Sequence, residues 1–356
     1  MNEHVAKAKN TLDRLISKQR AHMYKPIQVA EILYQTRMGK ITAEQIRDDL
    51  SSYRNPSKQW RYEITQLLLR RDSTSSQKYQ DNLFEDNAIP PEILYELVQA
   101  NLDGVVERYI YQKFREKQQQ ILQLYNFLNK ATVESFRLDD FLTLFNRKKG
   151  LKRSIDKAFE IVVYALFNTL VKHLKATVTV SINPSEKALL AEFEDFAQVL
   201  LGVNSLNPSV SSPTHLYRAG VTNAADRGLD IWANFGPAIQ VKHLSLTQEL
   251  AENIVEQIPS DQIVIVCRDS EREVIERITE QLNFRIQGII TESQLVAWYD
   301  RALHGNFHER LGNDLLKSLK TEFQNEFPFS ETFEGFYQDR RYDIVSQPAS
   351  LFWLGE

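Results

Sequence analysis

Between residues 154 and 302 the apolar pattern switches period again and again, and this alternation constrains the fold more than any other feature. SIDKAFEIVVYALFNTLVKHL (154–174) has helical spacing, with Ser154 placed to cap it. ATVTVSI (176–182) alternates apolar and hydroxyl residues, as a half-buried strand does. SEKALLAEFEDFAQVLLG (185–202) returns to helical spacing, and NSLNPSVSSP (204–213) has the composition of a loop. GLDIWANF and AIQVKHL flank Gly236-Pro237 and read as a hairpin. TQELAENIVEQI, DQIVIVC, SEREVIERITEQL, RIQGII and ESQLVAWYDRAL then alternate helix and strand. Such a chain folds as α/β, with a mixed or parallel sheet flanked by helices.

The first half is helical by pattern. KPIQVAEILYQTR (25–37) and TAEQIRDDL (42–50) space their apolar residues by three and four, with Pro26 near a helix start and Thr42 as an N-cap. NPSKQWRYEITQLLLRR (55–71) reads as a third helix opening after Asn55-Pro56, so the segment is either a helix-turn-helix-like module or a small bundle. RDSTSSQKYQDN (71–82) is polar and turn-rich, Pro90-Pro91 opens a long helical stretch to about residue 130, and RKKGLKR (147–153) is a basic linker. Residues 1–150 carry 24 Lys and Arg against 19 Asp and Glu, a net of +5, whereas the remainder carries 19 against 28, a net of −9. A basic half joined to an acidic half suits a polyanion-binding part attached to a second part.

Several classes are disfavoured. No run of 18 apolar residues exists, so no membrane-spanning helix is expected. The N-terminal segment is charged throughout and lacks the apolar stretch of a secretory signal, so a cytoplasmic location is expected. A single cysteine, Cys267, forbids an internal disulfide and a cysteine-based zinc site. Neither GxGxxG nor GxxxxGK[ST] occurs, so no nucleotide cofactor is expected, and no G-x-S-x-G elbow supports a catalytic serine.

The chemistry concentrates in GLDIWANFGPAIQVKH (228–243). With the turn at 235–237, Asn234 faces Ala238, Trp232 faces Gln240 and Asp230 faces Lys242. Alternation along each strand then puts Asp230, Gln240 and Lys242 on one face, with directly opposed Cβ atoms roughly 5 Å apart. A carboxylate, an amide oxygen and an ammonium in one place are what phosphodiester hydrolysis asks for: ligands for a hard divalent cation and a cation to orient water or stabilise developing charge. The competing reading is a surface hairpin with an ordinary cross-strand ion pair. Glu160 bears on the choice, because a carboxylate inside AFEIVVYALF is costly unless paired, hydrogen-bonded or metal-bound. Asp156, Glu160 and Tyr164 share a helix face, and Glu160 either supplies a second metal carboxylate or pairs with a lysine on the solvent side. His304 and His308 have i, i+4 spacing without an evident third ligand, His243 should point away from Lys242, and Cys267 ends an apolar strand as a buried hydrophobe.

Helix, strand, a hairpin with D-x9-Q-x-K, helix and strand together resemble the PD-(D/E)XK nuclease core. Gly228-Leu229-Asp230 stands where that family has Pro-Asp, Gln240-Val241-Lys242 where it has (D/E)-x-K, and Glu160 matches the carboxylate often found on its first helix. Gln240 departs from the pattern by bringing no charge, which shifts weight to Glu160. TNAADRGLDIWANFGPAIQVKHLS, YRNPSKQWR and STSSQKYQDNLFE resemble the HaeII group of type II restriction endonucleases, along most of the chain. The resemblance implies cleavage of both strands of double-stranded DNA at a short palindrome, RGCGCY, with Mg²⁺. Asp230 and Glu160 would then bind the metal, Lys242 would handle the nucleophilic water, and Gln240 would orient phosphate, water or metal. A homodimer is expected, since twofold symmetry matches a palindrome. The chain divides into a helical DNA-recognition region (1–150), a catalytic domain (151–302) and a C-terminal helical extension (303–356). Candidate DNA contacts are Arg54, Lys58, Trp60 and Arg61, then Ser75, Ser76 and Lys78, and Asn223 and Arg227 just before Asp230. Two rivals stand: a structure-selective or repair nuclease on the same core, and a non-cleaving DNA-binding protein with a degenerate nuclease fold.

Overall fold

Apolar residues at helical spacing bury α1 (Glu3–Ser17) through Ala8, Leu12, Leu15 and Ile16, a helix that its dense charge conceals in the sequence. The computed structural model describes residues 3–19, 21–70, 83–84, 88–147, 151, 154–219, 229–281, 285–344 and 352–353. After α1 come α2 (Tyr24–Arg37), α3 (Ala43–Asp48), α4 (Leu50–Leu69), α5 (Pro91–Ala100), α6 (Val105–Lys130) and α7 (Leu138–Arg147). Thr42 does cap α3, accepting from the Gln45 amide at 3.3 Å while the Gln45 side chain accepts from the Thr42 amide at 2.8 Å. Helix α4, in contrast, begins five residues before Asn55 and carries Pro56 inside it. One ladder hydrogen bond is forgone there. Tyr53, fully buried and donating to the Ile46 carbonyl at 2.9 Å, anchors the turn ahead of the proline.

The second half supplies α8 (Ile155–Leu174), β1 (Thr177–Ser181), α9 (Lys187–Glu192), α10 (Glu194–Leu200), β2 (Ser209–Pro213), β3 (Leu216–Arg218), β4 (Ile231–Ala233), β5 (Ala238–Ser245), α11 (Gln248–Gln257), β6 (Ile263–Asp269), α12 (Arg272–Gln281), β7 (Ile286–Thr291), α13 (Glu292–His304), α14 (His308–Glu326) and α15 (Phe333–Asp339). Five strands form a mixed sheet in the order β3-β4-β5-β6-β7. The first two pairings are antiparallel and the last two parallel. Helices α8, α13 and α14 cover one face, where Ile239, Val241 and Val266 point. Helices α11 and α12 cover the other, which receives Ala238, Ile263, Ile265 and Cys267. The α/β architecture expected from the alternation is the one observed.

Three local readings are corrected. The segment 176–182 does not join the main sheet: β1 pairs with β2, inside the stretch that composition marks as a loop. Its hydroxyl side chains meet the serines of β2 (Thr179 to Ser211, 2.7 Å), and little apolar area covers the pair, so the strand is largely exposed. The core strand ahead of the hairpin is β3, three residues long and too short to show a period. The helix read at 185–202 breaks at Phe193 into α9 and α10.

The hairpin register also differs. Ile231 pairs with Ile239 and Trp232 with Ala238, which brings Asp230 level with Gln240 and not with Lys242. The turn is centred one residue earlier, on Phe235, with the Ala233 amide donating to the Pro237 carbonyl at 3.0 Å and Gly236 at φ 121°, a backbone open to glycine. A two-residue slip preserves the face of every side chain, so Asp230, Gln240 and Lys242 remain together.

The cores cross the boundaries at 150 and 302. One core joins α1 to α5 and the first half of α6 with Phe333, Phe336, Tyr337, Tyr342 and Trp353. The other joins the second half of α6 and α7 to α8, the sheet, α13 and α14. The 26 residues of α6 run roughly 39 Å and serve both. Buried polar contacts fasten the C-terminal segment to the first core: Arg340 to Glu31 at 3.0 Å, and the Tyr342 hydroxyl to Glu107 at 2.9 Å. Among the described residues no helix is long and apolar enough to cross a membrane.

Candidate active site

Asp230 stands at the entry of β4, its carbonyl accepting from the Ala219 amide at 2.8 Å, so its backbone is fixed by the neighbouring strand. Oδ2 accepts from Gln240 Nε2 at 2.6 Å and from the Val241 amide at 2.8 Å. Burial, with the negative charge of Glu160 nearby, pushes the Asp230 carboxyl up to about 6, against the opposing pull of Lys242, the Val241 amide and Lys157. A carboxylate held this way gains from any cation placed beside it.

Gln240 is 2 % exposed, and because its amide nitrogen is committed to Asp230, its Oε1 faces the other way. That oxygen is buried and has no hydrogen-bond partner among the described residues. A buried acceptor left unpaired costs about 1–3 kcal/mol, so its presence beside a carboxylate marks a place for a water or a cation. Lys242 follows two residues on, half-buried on the same face.

Glu160 arrives from α8, in the layer on the opposite face of the sheet. It is 3 % exposed. Its Oε1 accepts from Arg218 Nη1 at 3.2 Å, and Lys157, one turn earlier, pairs with Oε2. Arg218 ends β3 and also binds Glu326 at 3.1 Å and Glu322 at 3.0 Å, both on α14. Burial works against the Arg218 charge, but Glu160, Glu326 and Glu322 outweigh it and hold the guanidinium above its ordinary value. Glu160 is thus both paired and within electrostatic reach of Asp230. Of its companions on the predicted helix face, Asp156 is exposed and Tyr164 half-buried, so spacing alone did not gather the three. Lys157 was visible at i−3 of Glu160, whereas Arg218, Glu322 and Glu326 lie 58 to 166 residues away and leave no local signal.

The remaining candidates separate. His243 is buried against the Phe159 ring, centroids 5.0 Å apart, and meets Glu292 at 3.0 Å, a packing role away from Lys242. Cys267 is fully buried. His304 bonds Asp300 at 2.8 Å and His308 the Gly305 carbonyl at 3.0 Å, and among the described residues no three His, Cys, Asp or Glu side chains form a metal-ligating group. On α4, Arg54 and Lys58 are half-buried and Trp60 packs against the first core. Arg61 is corrected as a DNA contact: it is 3 % exposed and donates to Gln28 at 3.0 Å, which in turn donates to Ser57 at 2.9 Å. Burial lowers its pKa to about 10. The helical period turned it inward, where a guanidinium cannot meet a phosphate. Arg61→Ala should therefore destabilise the fold by about 2 kcal/mol, leaving Gln28 short of a donor. The salt dependence of DNA binding should not change; a flatter slope with an unchanged melting temperature would reverse this. Ser75, Ser76, Lys78, Asn223 and Arg227 lie outside the described residues.

Comparison with known proteins bears on this site. The profile of the HaeII restriction endonuclease family matches residues 8–342. Type II restriction enzyme HaeII of Haemophilus aegyptius is 48% identical over 342 residues, covering 94% of this chain and 96% of that protein. Type II restriction enzyme NgoBI of Neisseria gonorrhoeae is 48% identical over 345 residues, covering 95% and 97%. No solved structure matches. The likeness spans both cores and the hairpin that carries Asp230, Gln240 and Lys242, and the chain belongs to the HaeII restriction endonuclease family.

Proposed function

We propose that this protein is a type II restriction endonuclease that hydrolyses one phosphodiester in each strand of the palindrome RGCGCY, with Mg²⁺ as cofactor, on a PD-(D/E)XK-like core. The observation that carries the reading is the union, at one end of the hairpin, of the Asp230 carboxylate, the unpartnered Gln240 oxygen and Lys242, with Glu160 electrostatically coupled to them. The donor set fits a hard cation, since Asp230, Glu160 and Gln240 all offer oxygen. When bound there, Mg²⁺ would polarise the scissile phosphate and lower the pKa of its water.

The chain's own residues account for the rest. Asp230 must shed the proton that burial favours, and Gln240 Nε2 with the Val241 amide fixes the carboxylate oxygen that receives them, leaving the other oxygen for a ligand. Lys242 orients the attacking water and offsets the charge that develops on phosphorus oxygens. Arg218, anchored by α14, holds Glu160 in place. A homodimer would bring one such site to each strand. Recognition is assigned to the basic N-terminal region, with Arg54 and Lys58 of α4 half-exposed, and to the segments holding Ser75, Ser76, Lys78, Asn223 and Arg227.

Incubating plasmid DNA with the protein and Mg²⁺, followed by run-off sequencing of the products, tests the proposal. Discrete fragments whose two strands end within RGCGCY are expected. Non-discrete nicks would transfer the reading to a structure-selective nuclease, and binding without cutting to a degenerate core.

A further inference from the structure

The two oxygens of Glu160 are held by different kinds of partner. Oε1 meets Arg218, and Arg218 is itself fixed by Glu322 and Glu326, its side chain only 8 % exposed. That contact cannot leave without breaking two others. Oε2 meets Lys157, whose flexible side chain is 19 % exposed and comes from the same helix, one turn away. An ammonium on a four-carbon stem at the edge of solvent can swing out at little loss, since water rehydrates it strongly.

The charges around the pair favour such a movement. Asp230, Glu160, Glu322 and Glu326 bring four negative charges, and Arg218, Lys157 and Lys242 bring three positive ones, a net of −1. A divalent cation would turn −1 into +1 in a largely buried place. Withdrawal of Lys157 would return the site to neutrality. Arg218 and Lys242 are poor alternatives, the first being locked by α14 and the second acting on Asp230 and not on Glu160.

We propose that Lys157 is a resident counterion of this site: its ammonium occupies the Glu160 oxygen that a divalent cation needs, and the two compete for it. The inference rests on the reading of Glu160 as a metal-binding carboxylate. Lys157 on this view is a positioning residue that touches neither DNA nor water in the reaction. It keeps a buried carboxylate paired in the metal-free protein and raises the cation concentration at which the enzyme loads. Competition of this kind is a coupling between two ligands of one group, so removing one tightens the other.

Equilibrium binding of Mn²⁺, which like Mg²⁺ favours oxygen donors, to the full-length protein without DNA tests this, read from the free-ion signal in electron paramagnetic resonance. Lys157→Gln keeps a hydrogen bond to Oε2 without the charge, and should bind Mn²⁺ about tenfold more tightly than wild type, in the range typical of linked sites. Lys157→Arg keeps the charge and adds a planar fork suited to a carboxylate, and should bind several-fold more weakly. This second variant leaves Glu160 fully paired, so it remains informative if Lys157→Gln folds poorly. Asp230→Asn, as reference, should lose the site. Equal or weaker binding by Lys157→Gln, or unchanged binding by Lys157→Arg, would overturn the counterion role while wild-type binding still upheld the metal reading. Absence of any binding sensitive to Asp230→Asn would instead overturn the metal reading and this proposal with it.

Discussion

Asp230→Asn is expected to reduce cleavage by at least a thousandfold in Mg²⁺ while specific DNA binding persists. The substitution keeps the size of the side chain and removes the charge on which, in the proposed reaction, the cation and the phosphate chemistry would depend, and each such loss is typically worth two or more orders of magnitude. Recognition is unaffected because Asp230 lies at the hairpin's base, turned toward Gln240 and Val241. A gel-shift assay beside single-turnover cleavage checks both halves, and retention of a tenth of the wild-type rate would end the assignment. The same variant has a signature in stability. Burial raises the Asp230 carboxyl to about 6, so the native state favours its protonated form. That contribution is fully present below the unfolded pKa near 4, is lost as pH rises through 6, and leaves above it a buried carboxylate that Lys242, the Val241 amide and Lys157 offset only in part. Asn carries no such charge. In metal-free buffer the variant should melt higher than wild type at pH 8, by on the order of 2 kcal/mol in stability, with the gap closing between pH 6 and pH 4. Added Mg²⁺ should stabilise wild type and not the variant.

What the sequence disclosed followed from periodicity, and what it hid followed from distance. The helix 155–174, the two parallel strands β6 and β7 and the crossover helices α11 and α12 that lead into them all carry clear apolar patterns, so their type and order were legible. The union of Asp230, Gln240 and Lys242 was legible because alternation along a strand survives an error of two in register. The register itself was not, since Asn234, Phe235 and Gly236 make a turn whose centre depends on the backbone of Gly236 and not on any pattern. Strand β3 was invisible at three residues, yet it delivers Arg218, on which Glu160 hangs. Arg61 shows the converse failure: charge beside an aromatic suggested a DNA contact, while the period of α4 carried it inside to Gln28. The terminal aromatics Phe336 and Tyr342 meet Tyr111 and Glu107, more than 200 residues earlier, a distance across which no local pattern carries a signal.

Glu160→Gln should lower the cleavage rate at least a hundredfold with the fold intact, an order of magnitude drawn from the loss of one charge against the transition state. The fold survives because Arg218 keeps Glu322 and Glu326, and the amide of glutamine still accepts from it. A hard cation left with Asp230 as its one charged ligand binds poorly, so higher Mg²⁺ should recover part of the loss. Gln240 is the informative contrast. Gln240→Ala removes the donor to Asp230 and the unpartnered oxygen together, so it costs less than Glu160→Gln if orientation is the residue's role. Gln240→Glu replaces a donor 2.6 Å from Asp230 with a second carboxylate, and the two repel unless a cation sits between them. That variant should be less stable than wild type without metal, retain some cleavage, and shift its preference among divalent ions. Single-turnover cleavage of all three across Mg²⁺ and Mn²⁺ concentrations separates these outcomes. Wild-type rate and Mg²⁺ dependence in Glu160→Gln would make Glu160 a structural partner of Arg218. The second carboxylate would then have to come from elsewhere, yet Asp156, Glu192 and Glu194, the alternatives along the chain, all lie exposed on helix surfaces. Gln240→Glu would in that case be the stronger enzyme, since the charge missing from Q-x-K would be restored where the hairpin already faces Asp230.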